Sequence, residues 1–143
     1  MYVKVLEDGN ANLYTISKLK ADNPYVCFPE SISNSILQEY SVYPCIDDSE
    51  PSYDSLTQSI YASVEQVNGE WHYTKNIRNK SVELASRNIR EYRDALLRET
   101  DWLGASDVTM STEWVTYRQA LRDIPQQDGF PFSITYPTKP VET

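Results

Sequence analysis

The spacing of apolar residues changes once along the chain, near residue 80, and that change limits the folds open to it. Before it, short stretches alternate. "SIYASVEQV" and "EWHYTKNI" flank Asn68-Gly69, a dipeptide that favours a two-residue hairpin turn. This arrangement predicts two paired strands, with Tyr61, Trp71 and Tyr73 as cross-strand aromatics. At the N-terminus Val3 and Val5 alternate about Lys4, and Asp8-Gly9-Asn10 supplies a second turn. "SKLKADNP" is short and is stopped by Asn23-Pro24, which leaves one or two short helices open in this half of the chain. Ser31 or Ser33 can cap a helix carrying Ile32, Ile36, Leu37 and Tyr40, and "SVYPCID" follows as an extended piece. The acidic run from Asp47 to Ser55 reads as a solvated loop. Residues 1–78 are therefore expected to form a small α+β module containing β-hairpins.

From Val82 the apolar residues step by three and four: Val82, Ala85, Ile89, Tyr92, Leu96. That is the seam of a helix, with Ser81 as its cap and Glu83–Arg87, Arg87–Glu91 and Asp94–Arg98 as i,i+4 pairs outside it. Trp114, Tyr117, Leu121 and Ile124 repeat the pattern, with Ser111 as the cap and Pro125 as the stop. Tyr-Arg-x-Ala-Leu occurs in both, at Tyr92 and at Tyr117. Matching seams and a short connection predict an antiparallel helical hairpin over 79–127, with Ala95 and Ala120 allowing close approach. In 128–143, Phe130, Phe132, Ile134 and Tyr136 alternate while Pro131, Pro137 and Pro140 lack ladder donors, which predicts an extended arm or edge strand. The expected fold class is α+β: the small N-terminal module, then the helical hairpin, then the arm.

Composition narrows function. Thirteen Lys and Arg against 21 Asp and Glu leave a net charge of -8, which disfavours a general nucleic-acid binder. No apolar run reaches the roughly 18 residues that a membrane span needs, and no signal peptide is expected. Eleven tyrosines suit interfaces and half-buried positions equally. His72 is the sole histidine, and Cys27 and Cys45 lack ligand spacing, so neither a metal nor a cofactor is expected. Whether the two cysteines pair is left open. No phosphate-binding glycine loop or nucleophile motif appears, and the chain is expected not to be an enzyme.

An ordered set of C-terminal features points further: Arg93-Asp94 with Leu96-Leu97, Thr100-Asp101-Trp102, Trp114, Tyr117-Arg118, Ala120-Leu121-Arg122, Pro125-Gln126 and Gly129-Phe130-Pro131. Over roughly residues 85–140 these resemble the phage tail assembly chaperone family, also called tail fibre assembly proteins. Where members often carry Trp-Pro near the end, this chain has Tyr136-Pro137. The N-terminal half, with its hairpin, "YTISKLKADNPYVCFPESIS" and "VYP", is similar to modules of phage tail proteins.

The resemblance implies a helper that binds the C-terminal region of a tail fibre protein, itself trimeric, and assists its folding or trimerisation. It leaves open a permanent adaptor or cap on the fibre or baseplate, and self-association. It implies work in the host bacterial cytoplasm, with retention on the virion as an alternative. Trp102, Trp114, Tyr117 and Arg118 are the candidate partner-binding residues of the helical part, and Phe130 and Phe132 those of the arm. For Trp114 and Tyr117, lying on the seam, a core role competes.

Overall fold

A computed structural model describes residues 1–141. The chain divides into two compact units. One comprises Met1–Ser52 and Ile60–Ile77; the other comprises Tyr53–Ser59 and the chain from Arg78 onward.

In the first unit, β1 (Tyr2–Val5) and β2 (Ala11–Tyr14) pair antiparallel, with Val3 opposite Leu13. Gly9 takes φ +82° at their turn, and the Asp8 carboxylate accepts the Asn10 N–H at 2.9 Å. Helix α1 (Ile16–Asp22) follows, so the module holds the second of the one or two short helices expected. Thr15 caps it by accepting the Lys18 N–H at 3.1 Å, and Leu19 is fully buried, so packing stabilises seven residues that propensity alone would not. Helix α2 (Asn34–Glu39) starts at Ser33, one of the two expected caps, and Ser41 at φ 58° turns the chain into β3 (Val42–Asp47). Tyr14, Leu19, Leu37 and Val42 form the core of this unit, flanked by Tyr2, Ile16, Phe28, Ile32 and Tyr40.

Strands β4 (Gln58–Val67) and β5 (Glu70–Asn79) are joined by Asn68 and Gly69 at φ 50° and 89°, the left-handed pair that a type I′ turn requires. Ser63 and Thr74 bond across them at 2.9 Å. β3 lies antiparallel to β1 and parallel to β5, with Cys45 opposite Trp71, so both hairpins join one sheet of order β2-β1-β3-β5-β4.

The second unit contains α3 (Val82–Glu99), a 3-10 turn (Asp101–Gly104), α4 (Thr112–Asp123) and a second 3-10 turn (Ile124–Gln126). Ser81 caps α3, accepting the Leu84 N–H at 3.2 Å, and Ser111 precedes α4 as expected. Its core joins Ile89, Leu103, Trp114, Tyr117, Leu121 and Ile124. Each fully buried aliphatic side chain there contributes about 1.5–3 kcal/mol. The three expected i,i+4 ion pairs are not among those of the described residues; Arg93 instead binds its neighbour Asp94 at 2.7 Å.

The expected fold class is corrected on this evidence. What organises the chain is a curled, mixed five-stranded sheet with several helices, not an antiparallel helical hairpin beside a small module. The predicted N-terminal hairpin is present. The sequence repeat does not carry over into equivalent structure: α3 has 18 residues and α4 has 12, and Tyr92 is 44% exposed where Tyr117 is 5%. The seams alone do not complete the core; Leu103 from the 3-10 turn and Leu56 from the 53–59 segment contribute to it as well. No strand follows Gln126 among the described residues, and Phe130, Ile134 and Tyr136 fold back onto the core.

Candidate functional site

The second unit carries a groove of about 1020 Å³ along one side of α4. Helical periodicity explains why α4 can both pack and line it. Trp114, Tyr117 and Leu121 recur on the stripe that enters the core, while Glu113, Thr116 and Ala120 occupy the adjoining stripe and face the groove. Trp114 and Tyr117 lie at the border of the two stripes, so they touch both core and groove; their rings meet edge-to-face at 5.8 Å. Leu103, from the 3-10 turn after α3, forms one end, and Pro137 to Val141 form a wall.

That wall depends on how the tail is turned. A Cβ on Gly129 would sit 2.1 Å from the Ser133 carbonyl oxygen, so only glycine fits this bend, which Ser133 closes by donating its N–H to the Gly129 carbonyl at 2.7 Å. The Gln127 side chain then clamps the returning chain. Its Nε2 donates to the Thr135 carbonyl at 2.9 Å and its Oε1 accepts the Thr135 N–H at 2.8 Å. Arg90 stacks over Phe130 at 5.3 Å, Tyr92 meets Tyr136 edge-to-face at 5.4 Å, and Lys139 pairs with Glu99 at 3.3 Å. The Tyr136 hydroxyl is buried without a hydrogen-bond partner; burial, then the nearby Asp54 and Tyr92, push its pKa up to about 12.

The opposite end is held by Arg118. Its guanidinium donates to the Leu97 carbonyl at 2.9 Å, to Thr100 Oγ1 at 2.5 Å and to Asp101 at 2.9 Å. A cation is thereby placed on the terminal carbonyls of α3, where the helix dipole favours it, and the turn bearing Trp102 and Leu103 is fixed to α4.

The six sequence-derived candidates thus fall into different settings. Trp102 is 57% exposed and Phe132 is 40% exposed. Trp114 and Tyr117 are buried at the groove floor, Phe130 is half-buried against the same core, and Arg118 is half-buried in the helix bridge. Trp102 adjoins the groove-lining Leu103, whereas Phe132 is not among the lining residues. Sequence reasoning missed Leu103, Pro137 and Lys139 as groove residues. It also missed the role of the segment 53–59, whose first three residues fall in the run from Asp47 to Ser55 read as a solvated loop. There Asp54 accepts from the Leu56 N–H and the Thr57 hydroxyl at 2.9 and 2.8 Å, and Leu56 packs on the core while its carbonyl accepts from Asn88 at 2.8 Å. The Asp-x-x-Thr spacing of Asp54 and Thr57 is a local turn signal that could have revealed it.

The groove offers one carboxylate, Glu113, held below the usual range by its own N–H and the Ser111 hydroxyl, and one ammonium, Lys139; the remainder is apolar, hydroxylic or proline. Such a lining suits a polypeptide surface. Elsewhere, His72 Nδ1 bonds Asp48 at 2.9 Å, and Cys27 and Cys45 are free thiols, one exposed and one buried. Among the described residues no three His, Cys, Asp or Glu side chains gather as a metal site, and no helix is long and apolar enough to cross a membrane.

No curated protein and no solved structure matches the chain. Residues 86–141 match the family of the phage tail assembly chaperone protein, and this interval contains every residue lining the groove. The C-terminal stretch that carries the groove is thus similar to the phage tail assembly chaperone protein family, over somewhat less than half of the chain.

Proposed function

We propose that this protein is a non-enzymatic phage tail assembly chaperone that binds the C-terminal region of a tail fibre protein and assists its folding and trimerisation. The observation that carries the reading is the coincidence of the family match, 86–141, with the groove beside α4 and its exposed neighbour Trp102. Unassembled fibre subunits expose strand edges and apolar faces prone to wrong pairing. A preformed groove beside a rigid tryptophan covers such a surface at small entropic cost. Trp102 supplies the exposed anchor and Phe132 a second apolar contact, while Trp114 and Tyr117 shape the floor and Arg118 holds the rim. The work takes place in the host bacterial cytoplasm during assembly.

Co-expression with the cognate fibre protein and affinity capture tests this. Trp102→Ala and Ala120→Arg, the second filling the groove, are each expected to reduce capture roughly tenfold or more, with circular dichroism unchanged. Full capture by both variants overturns the assignment. Mass spectrometry of purified virions separates two modes: absence of the protein fits a transient chaperone, and stoichiometric presence a permanent adaptor.

A further inference from the structure

The first unit lies outside residues 86–141 and has no part in the groove. Its most unusual feature is the β4–β5 ribbon. Neither ten-residue strand contains a buried residue, and β4 ends the sheet. The two-residue turn sets which backbone groups are used. Val67 faces Glu70 as a hydrogen-bonded pair, so odd-numbered β4 residues direct N–H and C=O toward β5. The Ser63 carbonyl, reached by the Thr74 hydroxyl at 3.3 Å, fits that parity. Ile60, Ala62, Val64 and Gln66 therefore point their amides and carbonyls outward. Natural edges are usually blunted by Pro, Lys, a bulge or shortness; Gln58–Val67 has no Pro and no Lys, and its ten residues make it the longer of the two edges, β2 having four.

We infer that the outer edge of β4 is a second docking site, which accepts an extended strand of another polypeptide by strand addition. The chemistry of that strand follows from both faces of the ribbon. Ile60, Ala62 and Val64 lie on the face of Trp71 and Tyr73, so alternate residues of the incoming strand are apolar. The other face carries Tyr61, Ser63, Glu65 and Thr74, with the Thr74 hydroxyl bonded to the Glu65 carboxylate at 2.5 Å, so the intervening residues are polar, with a basic one beside Glu65. Charge selects against a second copy of this chain. The first unit holds four Lys and no Arg against ten Asp and Glu, and two such units repel, whereas a neutral or basic strand is attracted. The site is separate from the groove and stands whether or not the groove binds a fibre.

Hydrogen exchange by NMR on the full chain provides the test. The probes are a ten-residue peptide alternating valine or threonine with lysine and its counterpart with glutamate in place of lysine. In the free chain the amides of Ile60, Ala62, Val64 and Gln66 are expected to exchange fast and those of Tyr61, Ser63 and Glu65 slowly. The lysine peptide should slow the even-numbered set and bind at least roughly tenfold more tightly than the glutamate peptide. Ala62→Pro, which removes one outward donor at a position where an edge tolerates proline, should weaken binding roughly tenfold, while Ala62→Thr preserves it. Slow even-numbered amides in the free chain, no saturable binding of the lysine peptide, or protection of these amides by self-association in sedimentation would each overturn the proposal.

Discussion

The two units hold themselves together differently. The first relies on backbone ladders: five strands supply most of its order, around a core cluster of only four buried residues. The second relies on side chains. All seven arginines of the protein fall in it, and several make specific contacts: Arg118 with the end of α3, Arg90 with Phe130, Arg93 with Asp94 and Arg78 with Ser59. Four of the six lysines fall in the first unit. A planar guanidinium can bridge several acceptors at once, whereas an ammonium on a flexible stem is a point charge. A ladder forms from backbone that every residue has; a guanidinium bridge requires one residue at one place. The lesson is that the unit containing the family match is the one whose geometry depends on individual side chains.

The comparison can be broken most forcefully in the cores. Leu37→Ala and Leu121→Ala both truncate fully buried leucines, one in each unit, and each is expected to cost about 2–5 kcal/mol in urea unfolding. If the second unit lost no more than a surface variant does, side-chain packing would not be what holds it. Next in size, Arg118→Met leaves the Leu97 carbonyl, Thr100 and Asp101 without their donor, at an expected cost of about 1–3 kcal/mol, and Arg118→Lys recovers only part. Calorimetry of the two variants reads this directly.

Two tyrosines give a finer contrast. Burial pushes both Tyr14 and Tyr136 up to about 12, but Tyr14 donates to Asp22 at 2.5 Å while the Tyr136 hydroxyl has no partner. Tyr14→Phe is therefore expected to cost about 1 kcal/mol, and Tyr136→Phe to leave stability unchanged or slightly raised. Both folded values exceed the ordinary 10.0, so the fold favours the protonated phenol. Their contribution is complete below pH 10 and is lost as pH rises from 10 to about 12, because the unfolded chain releases these protons first. Urea midpoints across that window should fall for the parent and fall less for the double Phe variant.

Local signals were legible in the sequence and remote ones were not. Asn68-Gly69 specified its own turn, and Ser33, Ser81 and Ser111 marked helix starts, because each depends on a few adjacent residues. Helix α1 was legible only as one of one or two short helices, because its stability comes from burying Leu19 among Tyr14, Leu37 and Val42. The pairing of β3 with β5, which merges the hairpins into one sheet, leaves no trace in periodicity. The repeated Tyr-Arg-x-Ala-Leu suggested equivalent helices, but periodicity states which face is apolar and not what covers it; Tyr92 meets the ring of Tyr136 rather than a matching seam. At the groove, Trp102 was recognisable as a surface residue because it lies in the connection between helices. The wall from Pro137 to Val141 was not, because its placement depends on Gly129 and the Gln127 clamp acting over eight residues.

The excursion of residues 53–59 has a practical consequence. The polypeptide passes from one unit to the other three times, after Ser52, Ser59 and Ile77. A fragment ending near residue 78 would carry Leu56 away from the core it completes, and the remaining piece would have Asn88 facing a missing acceptor. During synthesis this short stretch leaves the ribosome well before α3 does and has to wait for it. Neither half can be excised whole, so the protein is inherited, expressed and degraded as a single stitched object.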